Sequence, residues 1–123
     1  MPFVFWLLVG LAVLAIGWYL YLERYTIQVK RYVIHLKNLP RGFEGFTILQ
    51  LSDLHSKQFG QNQENLIRVI NQQKYDMVAL TGDFINKFKP DFEPAMDLID
   101  QLSNVPIYFV PGNHEWKTGF KAK

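Results

Sequence analysis

The chain has 123 residues, of which 49% are hydrophobic, 15% aromatic and 20% charged, with a formal net charge of +2. That length allows at most one ordinary domain, the composition is that of a folding chain, and the charge is too small for a dedicated nucleic-acid binder. No cysteine is present, which excludes disulfides, thiolate-ligated zinc and thiol nucleophiles and fits a reducing compartment.

The first element is hydrophobic throughout. From Pro2 to Leu22 ("PFVFWLLVGLAVLAIGWYLYL") every residue is apolar, aromatic or glycine. A helix of that length rises roughly 30 Å, the thickness of a bilayer's hydrocarbon core. Trp6 stands near one end and Trp18, Tyr19 and Tyr21 near the other, as in interfacial aromatic belts. A buried core helix is the soluble alternative, but so small a domain has no interior to surround one. A cleaved signal peptide is the other; the basic leader and the small-residue cleavage site that it needs are missing. Residues 1–22 therefore read as an uncleaved transmembrane anchor.

Charge then becomes uneven. Residues 23–41 carry Arg24, Lys30, Arg31, Lys37 and Arg41 against Glu23, a net +4, whereas residues 42–123 carry −2. A basic segment beside a membrane helix favours the cytoplasmic face and can meet anionic lipid headgroups. A solvated strand face explains Lys30 and Arg31 equally well, because "YTIQVKRYVIHL" alternates at Tyr25, Ile27 and Val29 and again at Ile34 and Leu36. That alternation predicts two short strands or one bulged strand, and "NLPRGFEG" a turn-rich connection. Residues 23–44 thus form a juxtamembrane strand region and turn.

A regular alternation of elements follows. "FTILQL" (46–51) reads as an interior strand running into "SDLHS"; residues 62–74 read as a helix capped by Asn62, with Leu66, Ile67, Val69 and Ile70 on one face. "YDMVAL" (75–80) is the next strand and runs into "TGDFIN". A second helix starts near Pro94 with Met96, Leu98, Ile99 and Leu102 inward, and "NVPIYFV" is a third strand that ends in "PGNHEW". Apolar strands in β-α-β-α-β order argue for a parallel sheet covered by helices. Right-handed crossovers then bring the three polar clusters to one sheet edge. Asp53, Asp83 and Asn113 are spaced 30 residues apart, about one βαβ unit each.

Asp53, His55, Asp83, Asn86, Asn113 and His114 are the polar residues so gathered. Carboxylates with imidazoles suit first-row divalent ions such as Mn, Fe, Zn or Co. If the chain stays extended, Asp53 and His55 face the same way, and Asp83 can bridge two ions in a phosphoryl-transfer site. Each signal alone has an ordinary explanation, since an Asp after a strand is commonly a cap or an Asx-turn and His55 a surface histidine. Three strand-end clusters with compatible ligand types are harder to explain that way.

"LSDLH" (51–55), "TGDFIN" (81–86) and "PGNHE" (111–115) resemble the first three signature blocks of the calcineurin-like metallophosphoesterases, and the amino-terminal helix with "YTIQVKRYVIHLKNLP" resembles that family's membrane-associated branch. The resemblance covers about 45–123 and implies the amino-terminal half of a four-layer αββα sandwich, preceded by one transmembrane helix. It assigns Asp53 and His55 to a first metal, Asp83 as bridging ligand and Asn113 to a second metal. His114 falls beside the scissile phosphate, paired with Asp83, while Gly82, Gly112 and Asn86 support the loops. Some members of that branch are lipid-directed phosphodiesterases, including UDP-2,3-diacylglucosamine pyrophosphatases, so a phosphorylated lipid or nucleotide-lipid substrate at the membrane is implied. The family pattern adds further histidines in a carboxyl-terminal half, whereas here only His35 is left, upstream of the first motif. The expectation is a partial domain, two divalent ions in the complete one, and at most one weakly held ion with no appreciable activity in residues 1–123. A non-catalytic membrane-anchored remnant or interaction module is the alternative.

Overall fold

The computed structural model describes residues 2–102 and 104–119; the last four residues of the expected phosphoesterase region lie outside these. The chain divides into two compact units, Met1–Tyr32 and Val33–Lys123.

In the first unit, helix α1 spans Pro2–Tyr25 and buries none of its residues. It continues three residues past the expected limit at Leu22. Arg24 in its last turn complements the negative end of the helix dipole. Trp18, Tyr21 and Tyr25 follow at helical spacing, with ring centroids 6.0 Å and 4.9 Å apart, so the charged end carries an aromatic stack suited to an interface. Among the described residues α1 is the one helix long and apolar enough to cross a membrane, and the topology is single-pass.

The alternating segment after it is not a strand. Residues 26–36 adopt no regular structure, and Val29, Tyr32, Val33, Ile34 and Leu36 are exposed. Alternation provides two faces, but a strand forms only where its N–H and C=O groups find a neighbouring strand. The sheet contains three strands among the described residues, none of them from this segment.

The second unit follows the expected order. Strand β1 (Ile48–Leu51), helix α2 (Glu64–Ile70), strand β2 (Met77–Leu80), helix α3 (Glu93–Gln101), strand β3 (Ile107–Phe109) and helix α4 (Asn113–Lys117) build a three-stranded parallel sheet in the order β1-β2-β3. Ile48 pairs with Met77 and Leu51 with Leu80; Val78 pairs with Ile107 and Leu80 with Phe109. Burial is one-sided. Val78 and Leu80 are buried together with Leu66 and Ile70 of α2 and Ala95 and Leu98 of α3, whereas Ile48 and Tyr108 on the alternate face are exposed. Each fully buried leucine stabilises the unit by about 1.5–3 kcal/mol.

Two sequence expectations for the helices need correction. Met96 is 52% exposed; the inward stripe of α3 is Pro94, Ala95 and Leu98, continued by Leu102. A spacing of three or four returns to one face, whereas Met96, two positions from Leu98, points away. Nor does Asn62 cap α2. It lies with Gln63 in left-handed backbone (φ 50° and 62°) inside a 3-10 turn, Gln61–Gln63, and the helix starts behind Gln63 with no side-chain cap. The fully buried Gln63 amide instead accepts from Phe59 N–H (3.0 Å) and donates to the Lys57 and Pro94 carbonyls (2.8 and 3.0 Å). It fastens the loop after β1 to the start of α3.

Candidate metal centre

Strand pairing continues into the loops at the carboxyl edge and places the polar clusters there. Thr81 N–H donates to Leu51 O, Asp53 N–H to Gly82 O, His55 N–H to Asp83 O and Ser56 N–H to Phe84 O, all at 2.8–3.1 Å. This ladder holds Asp53, His55, Ser56 and Asp83 in left-handed backbone, with φ between 52° and 58°. Residues other than glycine resist that region by roughly 1–2 kcal/mol each, so the positions persist because the surrounding bonds over-determine them. The extended geometry expected for Asp53-Leu54-His55 is therefore absent. The two side chains nevertheless meet, His55 Nε2 lying 3.6 Å from Asp53 Oδ1, because Leu54 turns into the core at 6% exposure.

Asp83 joins them. One donor atom from each of Asp53, His55 and Asp83 lies within 4.8 Å of the others. Two ligands on opposite sides of a single ion bound at 2.0–2.2 Å stand roughly 4 Å apart, so the set fits one first-row divalent cation with small side-chain adjustments. Two carboxylates and an imidazole are also the donor chemistry such ions take.

The glycines of the second and third motifs meet each other. A Cβ on Gly82, at φ 90°, would fall on the backbone of Gly112, and one on Gly112 would fall on the Asp83 carboxylate. The two loops can cross only because both positions lack side chains. Beyond Gly112, Asn113 opens α4 and is exposed. His114 follows, its ring 4.8 Å from that of His55. The expected Asp83–His114 pairing is made by the backbone, since His114 N–H donates to Asp83 Oδ1 at 3.0 Å. The His114 ring partners the Ile85 carbonyl through Nδ1 at 3.1 Å. A carbonyl only accepts, so Nδ1 carries the proton and Nε2 is the nitrogen free to exchange one. Asn86 accepts from Phe88 N–H at 2.9 Å through Oδ1.

Glu115 was missed by the sequence reading. Its carboxylate is 2% exposed and accepts four backbone N–H groups: Phe84 and Ile85 at Oε1 (2.7 and 3.1 Å), Asp83 and Gly112 at Oε2 (2.8 and 2.7 Å). Burial alone would raise its pKa, but the backbone hydrogen bonds from the Asp83 loop, Gly112 and its own amide outweigh that and hold it below the ordinary value. One side chain thus sets the backbone that carries Asp83 and ties it to the turn that carries His114. Its signal in the sequence is an acid three residues after the glycine that starts α4, half of a capping box.

Residues 46–123 match the calcineurin-like phosphoesterase family. The chain belongs to that family. Its metallophosphoesterase relatives include uncharacterized YkuE of Bacillus subtilis, 32% identical over 107 residues that cover 80% of this chain and 36% of the relative. An uncharacterized metallophosphoesterase of Aquifex aeolicus is 32% identical over 108 residues, 85% of this chain and 41% of its own. A more distant relative is the transmembrane protein with metallophosphoesterase domain of Danio rerio, 25% identical over 88 residues, 69% of this chain and 20% of its own. The chain spans about two fifths of the length of these bacterial metallophosphoesterases. No solved structure matches it.

Proposed function

We propose that this metallophosphoesterase domain hydrolyses a phosphodiester or pyrophosphate bond of a phosphorylated lipid or nucleotide-lipid at the cytoplasmic face of a membrane. The observation that carries the reading is the donor set Asp53, His55 and Asp83, gathered at the sheet's carboxyl edge with His114 beside it. These three side chains would hold a first divalent ion. Asp83 together with Asn113 would contribute to a second, whose remaining ligands must come from outside the motifs present here. Bound there, such ions polarise the phosphoryl group and lower the pKa of water.

The protein's own groups do the rest. His114, with Nδ1 committed to the Ile85 carbonyl, offers Nε2 to protonate the departing oxygen or to share its charge. Asp83 fixes the start of α4 through the His114 amide, and Glu115 locks both loops. A preset geometry of this kind matters because a misplacement of about 1 Å can cost roughly 100-fold in rate. The anchor supports the choice of substrate class by keeping the site near lipid, and the basic 23–41 segment supports the cytoplasmic side.

The test is a screen of the membrane-reconstituted protein, in the length found in cells, against UDP-diacylglucosamine, phospholipids and bis-p-nitrophenyl phosphate with Mn²⁺, Fe²⁺, Zn²⁺ or Co²⁺. Metal-dependent cleavage of a lipid-linked substrate, lost in H114N, is expected. Turnover of soluble phosphomonoesters alone would overturn the lipid assignment, and digestion of the domain by external protease in intact cells would reverse the orientation.

A further inference from the structure

The loop between Asp83 and α3 has a feature that metal binding does not use. Both of its ends are fastened to one hydroxyl: Ser56 Oγ accepts from Asn86 N–H (2.9 Å) and from Asp91 N–H (3.3 Å) and donates to the Asp91 carbonyl (2.9 Å). The four residues between these ends, Lys87-Phe88-Lys89-Pro90, project outward and are all exposed. Phe88, at 85%, is the most exposed large hydrophobic residue described, and Lys87 Nζ stands 4.6 Å from its ring centroid. The nearby carboxylate of Asp91 is turned back onto Glu93 N–H at 3.1 Å. Helix α4, which starts at the same sheet edge, presents Trp116 at 71% exposure beside the exposed Lys117.

A rigidly based loop thus presents an exposed phenylalanine between two lysines. It matches a bilayer surface, where an aromatic ring enters the headgroup layer and ammonium groups meet anionic lipid phosphates. The geometry points to the 87–90 loop as a membrane-docking tip for an anionic leaflet, with Trp116 and Lys117 as a second contact at the same edge. Helix α1 as an anchor holds the domain at high local concentration near that surface. Because the loop springs from Asp83 and is tied beside His55, docking would turn the metal centre toward the headgroups. This inference concerns orientation at the bilayer and stands whether or not the site proves catalytic.

The test uses the full chain in phosphatidylcholine vesicles, with and without ~30% phosphatidylglycerol. Since the chain has no cysteine, P90C and Q72C each take a single spin label, position 72 being exposed and close to the opposite edge of the sheet. With anionic lipid, access of an aqueous nickel chelate to position 90 should fall at least about fivefold below that to position 72. Adding F88S or K87E/K89E to P90C should restore it. Equal access at positions 90 and 72 in anionic vesicles would overturn the proposal. So would protection that is the same in pure phosphatidylcholine, or protection that follows protein density rather than lipid charge, which would assign the tip to a second copy of the chain.

Discussion

Replacing Glu115 by glutamine removes one oxygen and leaves the shape almost unchanged, so it isolates what the carboxylate does. In the native arrangement each oxygen accepts two backbone N–H groups, Phe84 and Ile85 at Oε1, Asp83 and Gly112 at Oε2. The glutamine oxygen can serve one pair; its NH₂ group then opposes the other pair, donor against donor. Two hydrogen bonds to a charged acceptor are lost at a site only 2% exposed, at about 1.5–3 kcal/mol each, which gives about 3–6 kcal/mol. Domains of ordinary stability have about 5–15 kcal/mol in total, so E115Q should open locally and E115A should approach global unfolding. Hydrogen exchange read by mass spectrometry on the vesicle-reconstituted chain reports this directly. Peptides that contain residues 83–85 and 112 should exchange at least ~100-fold faster in E115Q, while E93Q, at an exposed acid of α3, should leave them unchanged. Exchange within about tenfold of wild type would refute the clamp and leave Glu115 as a buried side chain without a structural task.

The loop crossing makes a second expectation: G82A and G112A should each destabilise the unit by about 1–3 kcal/mol or more, read as faster exchange at Val78 in the buried sheet centre. G42A, where a Cβ meets nothing within 4 Å, should stay within about 0.5 kcal/mol of wild type. Acid should act through Glu115. Its folded pKa lies below the ordinary 4.5, so the unfolded chain binds more protons; the stability this group contributes is complete above 4.5 and is lost as pH falls through the folded value. The protection of the Val78 amide, its exchange rate corrected for the intrinsic pH dependence of amide exchange, should therefore fall on acidification below 4.5 more steeply in wild type than in E115Q, and parallel curves would show that other carboxylates govern the acid limit.

The parallel sheet was legible because its strands are short apolar runs separated by amphipathic helices, a pattern that admits few architectures. The strand-end clusters were legible for the same reason, since strands running in one direction must deliver Asp53, Asp83 and Asn113 to one edge. What the sequence concealed were features decided by distant partners. Alternation in 26–36 matched a strand, but pairing depends on a neighbour that local pattern does not report. Asn62 is a good cap by type, yet the buried Gln63 amide, with partners at Phe59, Lys57 and Pro94, sets the start of α2. Asp53 and His55 meet through two left-handed residues and not along an extended chain, because the ladder from Gly82 to Phe84 dictates their backbone. Glu115 stands next to the expected site residue His114, but its role rests on N–H groups that lie about 30 residues away in sequence.

Asp53, His55 and Asp83 are expected to hold one divalent ion in this chain. Titration of the reconstituted chain with Mn²⁺, followed by the loss of the free-ion electron paramagnetic resonance signal, measures it directly. One ion per chain is expected, abolished in D83A and weakened at least about 10-fold in H55A, with E93Q binding like wild type. Binding that survives D83A and H55A unchanged, or no binding by a wild-type chain whose Val78 amide remains protected, would rule out a metal centre at these three residues.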